Sequence, residues 1–176
     1  MLENSHDGTA AYRLHAGIFR YCCSNGLFIA SANFGSISVK HAGSREFESR
    51  IVEATRQITE ETPKAFDRVN EWKQIILPRT AQVAMAERAF DLKPLDGVRP
   101  AALLTARREE DYTDSDGNRD LWRTYNVLQE NKLQGGVQGV NPRGRRTRTR
   151  SIRSVTATIG LNRSLWQIAE QAAEWN

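Results

Sequence analysis

RDLWRTYNVLQENKLQGG, residues 119–136, is the stretch on which the reading of the fold turns. Leu121, Tyr125, Leu128 and Lys132 recur at three- and four-residue spacing, which predicts a helix with those four on one face. Asn118 or Asp120 stands where a side chain can cap the first turn. Gly135-Gly136 follows where a helix commonly stops, because glycine adopts the backbone that closes the last turn. A helix so bounded needs partners, and both flanks have to supply them.

Upstream, Tyr12 to Ala32 reads as a β-hairpin. YRLHAGIFRYCC and LFIASA are rich in aromatic and branched residues, and Ser24-Asn25-Gly26 between them has turn chemistry. SISVK (36–40) alternates like a third short strand, with Ile37 and Val39 on one face. Gly43-Ser44 punctuates, and a helix is expected from about Glu46, striped by Ile51, Thr55, Ile58 and Thr62. Thr62-Pro63 resembles an N-cap with proline at the first helical position, so the stripe either kinks or restarts there before Phe66, Val69 and Trp72. Pro78 is placed to start another helix carrying Val83, Ala86 and Phe90. From Leu92 to Asp120 the chain is expected to be loop-like.

Downstream, SVTATIG (154–160) has β character, and LNRSLWQIAEQAAEW (161–175) is a helix apolar at Leu161, Leu165, Ile168 and Ala172. Strands, then helices, then a strand and a closing helix describe an α+β fold. The expectation is a single domain over 1–176: an N-terminal antiparallel hairpin or small sheet packed by several helices. A Gly/Arg-rich basic segment, 135–155, would form a loop or strand before the C-terminal helix.

Charge is distributed unevenly. Between Glu130 and Glu170 there is no acid, while Lys132, Arg143, Arg145, Arg146, Arg148, Arg150, Arg153 and Arg163 give that window +8. The whole chain carries +4, which leaves −4 on the rest. Local basicity of this kind is a footprint for an anionic partner. If 146–150 is extended, Arg146, Arg148 and Arg150 share one face, with Thr147 and Thr149 on the other. Their spacing of about 6.5–7 Å suits a nucleic-acid backbone, and guanidinium binds phosphate bidentately. The glycines at 135, 136, 139 and 144 would let the segment mould itself to a ligand. Two other readings stay open: a charged edge strand guarding against aggregation, or pairing with the acidic face of another subunit.

Other candidate chemistry is weaker. His6, His15 and His41 lack zinc spacing and no CxxC occurs, so neither a metal nor a cofactor is expected. Cys22 and Cys23 are adjacent, which suits core filling in a reducing cytoplasm better than a disulfide or a nucleophile. Asp114, Asp116, Asn118 and Asp120 alternate as in a calcium loop. Counted from Asp114, however, Gly117 is fourth and Tyr125 twelfth, where an EF-hand needs glycine sixth and glutamate twelfth. No phosphate-loop, GxSxG or HExxH motif is present. MLENSHDG has neither a basic nor an apolar signal region, and no apolar run reaches the ~20 residues that span a bilayer. No membrane association is expected.

Four phrases, NSHDGTAAYRLHAGIFRYCCSNGL, RDLWRTYNVLQENKLQGG, GRRTRTR and LNRSLWQIAE, together resemble the family catalogued as domain of unknown function 932, whose members are phage- and plasmid-like proteins. Family members usually carry a further segment before the SHDG phrase, so the chain resembles the C-terminal two thirds of the pattern. The resemblance implies a mobile genetic element more than an activity. The strand-then-helix order is also similar, by analogy of fold, to phage single-strand annealing proteins.

The expectation that follows is a non-enzymatic phage- or plasmid-encoded protein that binds nucleic acid, single-stranded or guide- and target-like, in recombination or maintenance. Arg143, Arg145, Arg146, Arg148, Arg150, Arg153 and Lys132 would grip phosphates, and Tyr112, Trp122 or Tyr125 would stack bases where exposed. Core packing is the competing role for the last two. One rival reading is a counter-defence inhibitor of anti-CRISPR type, seated on a host nucleoprotein complex. Another is a structural subunit that forms a homo-oligomer through its basic strand.

Overall fold

The computed structural model describes residues 2–3, 12–14, 37–39, 44–95 and 97–175. The architecture is α+β, and it divides into two compact units, Met1–Arg68 and Val69–Asn176.

In the first unit β1 (Leu2–Glu3), β2 (Tyr12–Leu14) and β3 (Ile37–Val39) form an antiparallel sheet in the order β1-β2-β3. Tyr12 pairs with Val39 and Leu14 with Ile37. The first and third expected strands are thus present. The LFIASA strand and its Ser24-Asn25-Gly26 turn lie outside the described residues, as do His6, His15, Cys22, Cys23 and His41. Helix α1 (Ser44–Trp72) continues through Pro63, so Thr62-Pro63 starts no new helix. Exposed Arg56 bridges Glu53 at 2.7 Å and Glu60 at 2.5 Å along it, the i,i+3 and i,i+4 pairing that supports a solvated helix.

The second unit is built around α3 (Leu121–Gln134), whose residues are buried on nearly every side. The Asp120 carboxylate caps it by accepting the Arg123 N–H at 2.8 Å, and Gly135 ends it at φ +67°. Its start is anchored by β5 (Arg119–Asp120) pairing with β4 (Ile76–Leu77), where the Leu121 N–H reaches the Ile75 carbonyl at 2.8 Å. Helix α2 (Arg79–Leu92), a 3-10 helix at Pro100–Leu104 and α4 (Val155–Ala173) complete the packing. Four rings meet at the centre. Trp72 lies 4.4 Å from Trp166 and 5.8 Å from Tyr125, and Tyr125 stacks on Trp122 at 5.7 Å.

A helix buried all round must satisfy its polar side chains internally. Thr124 donates to the Asp120 carbonyl, Gln129 to Asn162 Oδ1 on α4, and Asn131 to the carbonyls of Leu103 and Thr105.

The expected strand before the last helix is absent. SVTATIG is the first part of α4, not a strand, because the Ser154 hydroxyl caps the helix by accepting the Ala157 N–H at 3.3 Å. No described helix is long and apolar enough to cross a membrane.

Candidate nucleic-acid interface

The basic segment folds as a two-stranded ribbon. β6 (Gln138–Val140) pairs antiparallel with β7 (Arg146–Arg148), with Gln138 opposite Arg148 and Val140 opposite Arg146. The turn between them is organised by Asn141, whose Oδ1 accepts the N–H groups of Arg143 and Arg145, both at 3.0 Å. Gly144 supplies the left-handed step at φ +74°. Pairing runs beyond β7, since the Thr149 N–H reaches the Val137 carbonyl at 3.0 Å.

Strand alternation then sorts the side chains. Arg146, Arg148 and Arg150 are exposed, whereas Thr147 and Thr149 are half-buried. Arg143 and Arg145 in the turn and Arg153 after it are also exposed. Among the described residues no carboxylate pairs with any of these six. Val140, 54% exposed, adds an apolar spot opposite Arg146.

The ribbon is fixed to the body, and here the glycines act otherwise than expected. A Cβ at Gly139 would lie 2.5 Å from the Gly97 carbonyl oxygen and 2.8 Å from Val98 Cγ2. A Cβ at Gly135 would lie 2.5 Å from the Arg150 carbonyl carbon. Both residues permit close backbone approach instead of loop mobility, and Gly144, with open space around it, is needed only for its φ. The Val140 N–H donates to the Gly97 carbonyl at 2.7 Å, and the Ile152 N–H to that of Leu133 at 2.8 Å. The arginines are therefore presented on a held strand.

Lys132 must be removed from the expected set. It is 3% exposed, and its ammonium donates to the carbonyls of Lys93 at 2.6 Å and Phe90 at 3.4 Å, beyond reach of an external phosphate. There it neutralises the carbonyl end of α2. Burial, with the Lys93 charge nearby, pulls its pKa from 10.5 down to about 8. The folded protein therefore releases this proton near pH 8, while the unfolded chain keeps it to 10.5. Over that window the unfolded state binds more protons, so stability rises with pH. We expect a gain of about 2 kcal/mol between pH 7.5 and 9.5 in urea denaturation. Lys132→Met should abolish the slope, and an equal slope in that variant would disprove the assignment. Above pH 10 the buried Tyr125 opposes the trend, because burial raises its pKa and the unfolded phenol ionises first.

Of the expected stacking rings, Trp122 and Tyr125 are core residues, and Tyr112 is 57% exposed. In the acidic loop, Asp114 Oδ1 accepts the backbone N–H groups of Asp116 at 3.0 Å and Asn118 at 2.7 Å. These bonds, the Asn118 amide foremost, hold its pKa below the ordinary carboxylate value. Among the described residues no His, Cys, Asp and Glu side chains assemble a metal site. Sequence reasoning passed over Arg107 and Gln138, which flank a cleft at the foot of the ribbon. Only the adjacency of Gln138 to the arginine run could have pointed there.

Two curated relatives from Escherichia coli strain K12 are similar to this chain. UPF0380 protein YafZ is 36% identical over 177 residues and UPF0380 protein YfjQ 34% over 173 residues. Each alignment covers 97% of this chain and 60% of the relative, so the chain spans less than two thirds of their length. No solved structure matches significantly. The family model described as domain of unknown function 932 matches residues 1–166, a span that takes in both the N-terminal sheet and the arginine ribbon, and the chain belongs to that family.

Proposed function

We propose that this chain is a non-catalytic nucleic-acid-binding protein of a phage or plasmid element, and that the β6–β7 ribbon is its phosphate-binding surface. The observation that carries the reading is the set of six exposed arginines, Arg143 to Arg153, on a backbone held against the core and with no acid partner among the described residues. Guanidiniums clustered in a stretch of sequence without acids repel one another, an arrangement that an anionic ligand stabilises. Phosphate contacts of this type position a strand without reading its bases.

The test is the salt dependence of binding. Affinity for a single-stranded oligonucleotide should fall as a power of salt concentration, with a slope of about −0.7 for each arginine engaged. A flat response in wild-type protein would sink the proposal.

A further inference from the structure

Two hollows adjoin at the foot of the ribbon. One, of about 340 Å³, is lined in part by Ala102, Thr105, Arg107, Asn131 and Gln138. The other, of about 380 Å³ and more open, lies over Gln138, Arg146, Thr147 and Arg148. Gln138 borders both. A ligand lying along the arginines therefore passes the mouth of the deeper cleft.

The deeper cleft is organised around one guanidinium. Arg107 Nε donates to Asn131 Oδ1 at 2.8 Å, and its Nη2 donates to the Gly135 carbonyl. Asn131 is itself held, since its Nδ2 donates to the carbonyls of Leu103 at 2.8 Å and Thr105 at 2.9 Å. The guanidinium is thus a fixed flat wall. A Cβ at residue 136 would be in van der Waals contact with it, 3.6 Å from Nη2 and 3.9 Å from Nη1, a contact that glycine does not make. Thr105 and Gln138, each carrying hydrogen-bonding groups, also line the cleft. Val140 sends its N–H outward to Gly97 instead of across to β7, and alternation along an antiparallel strand turns the N–H of Gln138, two residues earlier, to the same outer edge.

A flat cationic wall beside hydrogen-bonding groups suits a planar heteroaromatic ring. In a duplex the bases are paired and stacked, and none enters a cleft without being flipped out. We propose that this cleft takes one unpaired nucleobase of a single-stranded nucleic acid whose phosphates lie along Arg146 and Arg148. The ring stacks on Arg107 and turns its hydrogen-bonding edge to Thr105 and Gln138. The inference rests on the ribbon being a phosphate-binding surface, and it adds that the ligand is single-stranded and held by a base as well.

The experiment compares three probes with the full chain across a salt series: a single-stranded oligodeoxynucleotide, the same strand with abasic sites, and the corresponding duplex. Removing the bases keeps every phosphate. The abasic strand should bind about tenfold more weakly or worse, the loss of one stacked base, with the salt slope unchanged. Ala102→Leu, which fills the cleft, should weaken binding of the intact strand by a similar factor and leave the abasic strand unaffected. Thr105→Leu, at an exposed position on the rim, should do the same and serves if the first variant folds poorly. Equal binding of intact and abasic strands overturns the inference, as does a duplex bound as tightly as the single strand. Discrimination that survives both cleft variants also overturns it. These three results leave the phosphate reading standing. Absence of salt-dependent binding to every probe removes that reading and the inference together.

Discussion

Replacing Arg146, Arg148 and Arg150 together by glutamine should lower single-strand affinity on the order of a hundredfold at about 0.1 M salt. Each contact contributes about 0.7 to the salt exponent, so three lost contacts flatten the slope by about 2 and remove about two decades of affinity at that concentration. Glutamine keeps the length and the hydrogen bonding and deletes only charge. The three side chains are exposed and have no carboxylate partner among the described residues, so stability should change by less than about 1 kcal/mol. The loss should be uniform across base sequences, because phosphates carry no base identity. Unchanged affinity and slope would reduce the run to a solvated edge. The other readings of the same charges give different signatures. A subunit interface would shift toward monomer, and an inhibitor of a host complex would lose that protein partner while retaining whatever weak oligonucleotide binding it had.

Local chemistry made much of the fold legible and long-range contact hid the rest. Helix α3 was readable because its start and stop signals are short-range: Asp120 caps within three residues and Gly135 closes the last turn. The alternation of Arg146, Thr147 and Arg148 likewise follows from the period of a strand. The start of α4 was misread because Val155, Thr156, Thr158 and Ile159 favour strand locally. The Ser154 cap and the burial of Ile159 and Leu161 override that preference. Strand β6 has almost no strand signal in Gln-Gly-Val, and it depends on Gly97, forty residues upstream, and on β7. Lys132 was assigned by its place in an acid-free window, although its helical spacing with Leu121, Tyr125 and Leu128 already directed it inward. Periodicity should have outweighed charge there. The cleft beside Arg107 could not be read at all, since it joins residues 102–107 to residues 131–138 and exists only once α3 is packed.

If presentation of the arginines matters, and not merely their number, Gly139→Val should weaken nucleic-acid binding without altering charge. The valine Cβ would have to sit 2.5 Å from the Gly97 carbonyl oxygen and 2.8 Å from its carbon. Backbone atoms cannot yield as the end of a flexible side chain can, so the ribbon must lift from the Gly97–Val98 segment. That breaks the 2.7 Å hydrogen bond from Val140 to Gly97 and exposes Val98, now buried. Overpacking and the lost bond together should cost about 3 kcal/mol in urea denaturation. Hydrogen exchange at the Val140 amide should become fast while amides within α3 stay protected, which distinguishes local detachment from global unfolding. Gly144→Ala is the matched control. Space around Gly144 is open, so it pays only the strain of φ +74°, about 1 kcal/mol, and leaves the docked strands in place. With the net charge identical in both variants, a polyelectrolyte account requires equal affinity. A preorganised ribbon requires Gly139→Val to bind several-fold more weakly than Gly144→Ala, because a detached strand must be ordered again on each encounter. Equal affinities with the Val140 amide demonstrably released would show that the docking at Gly97 serves the fold alone.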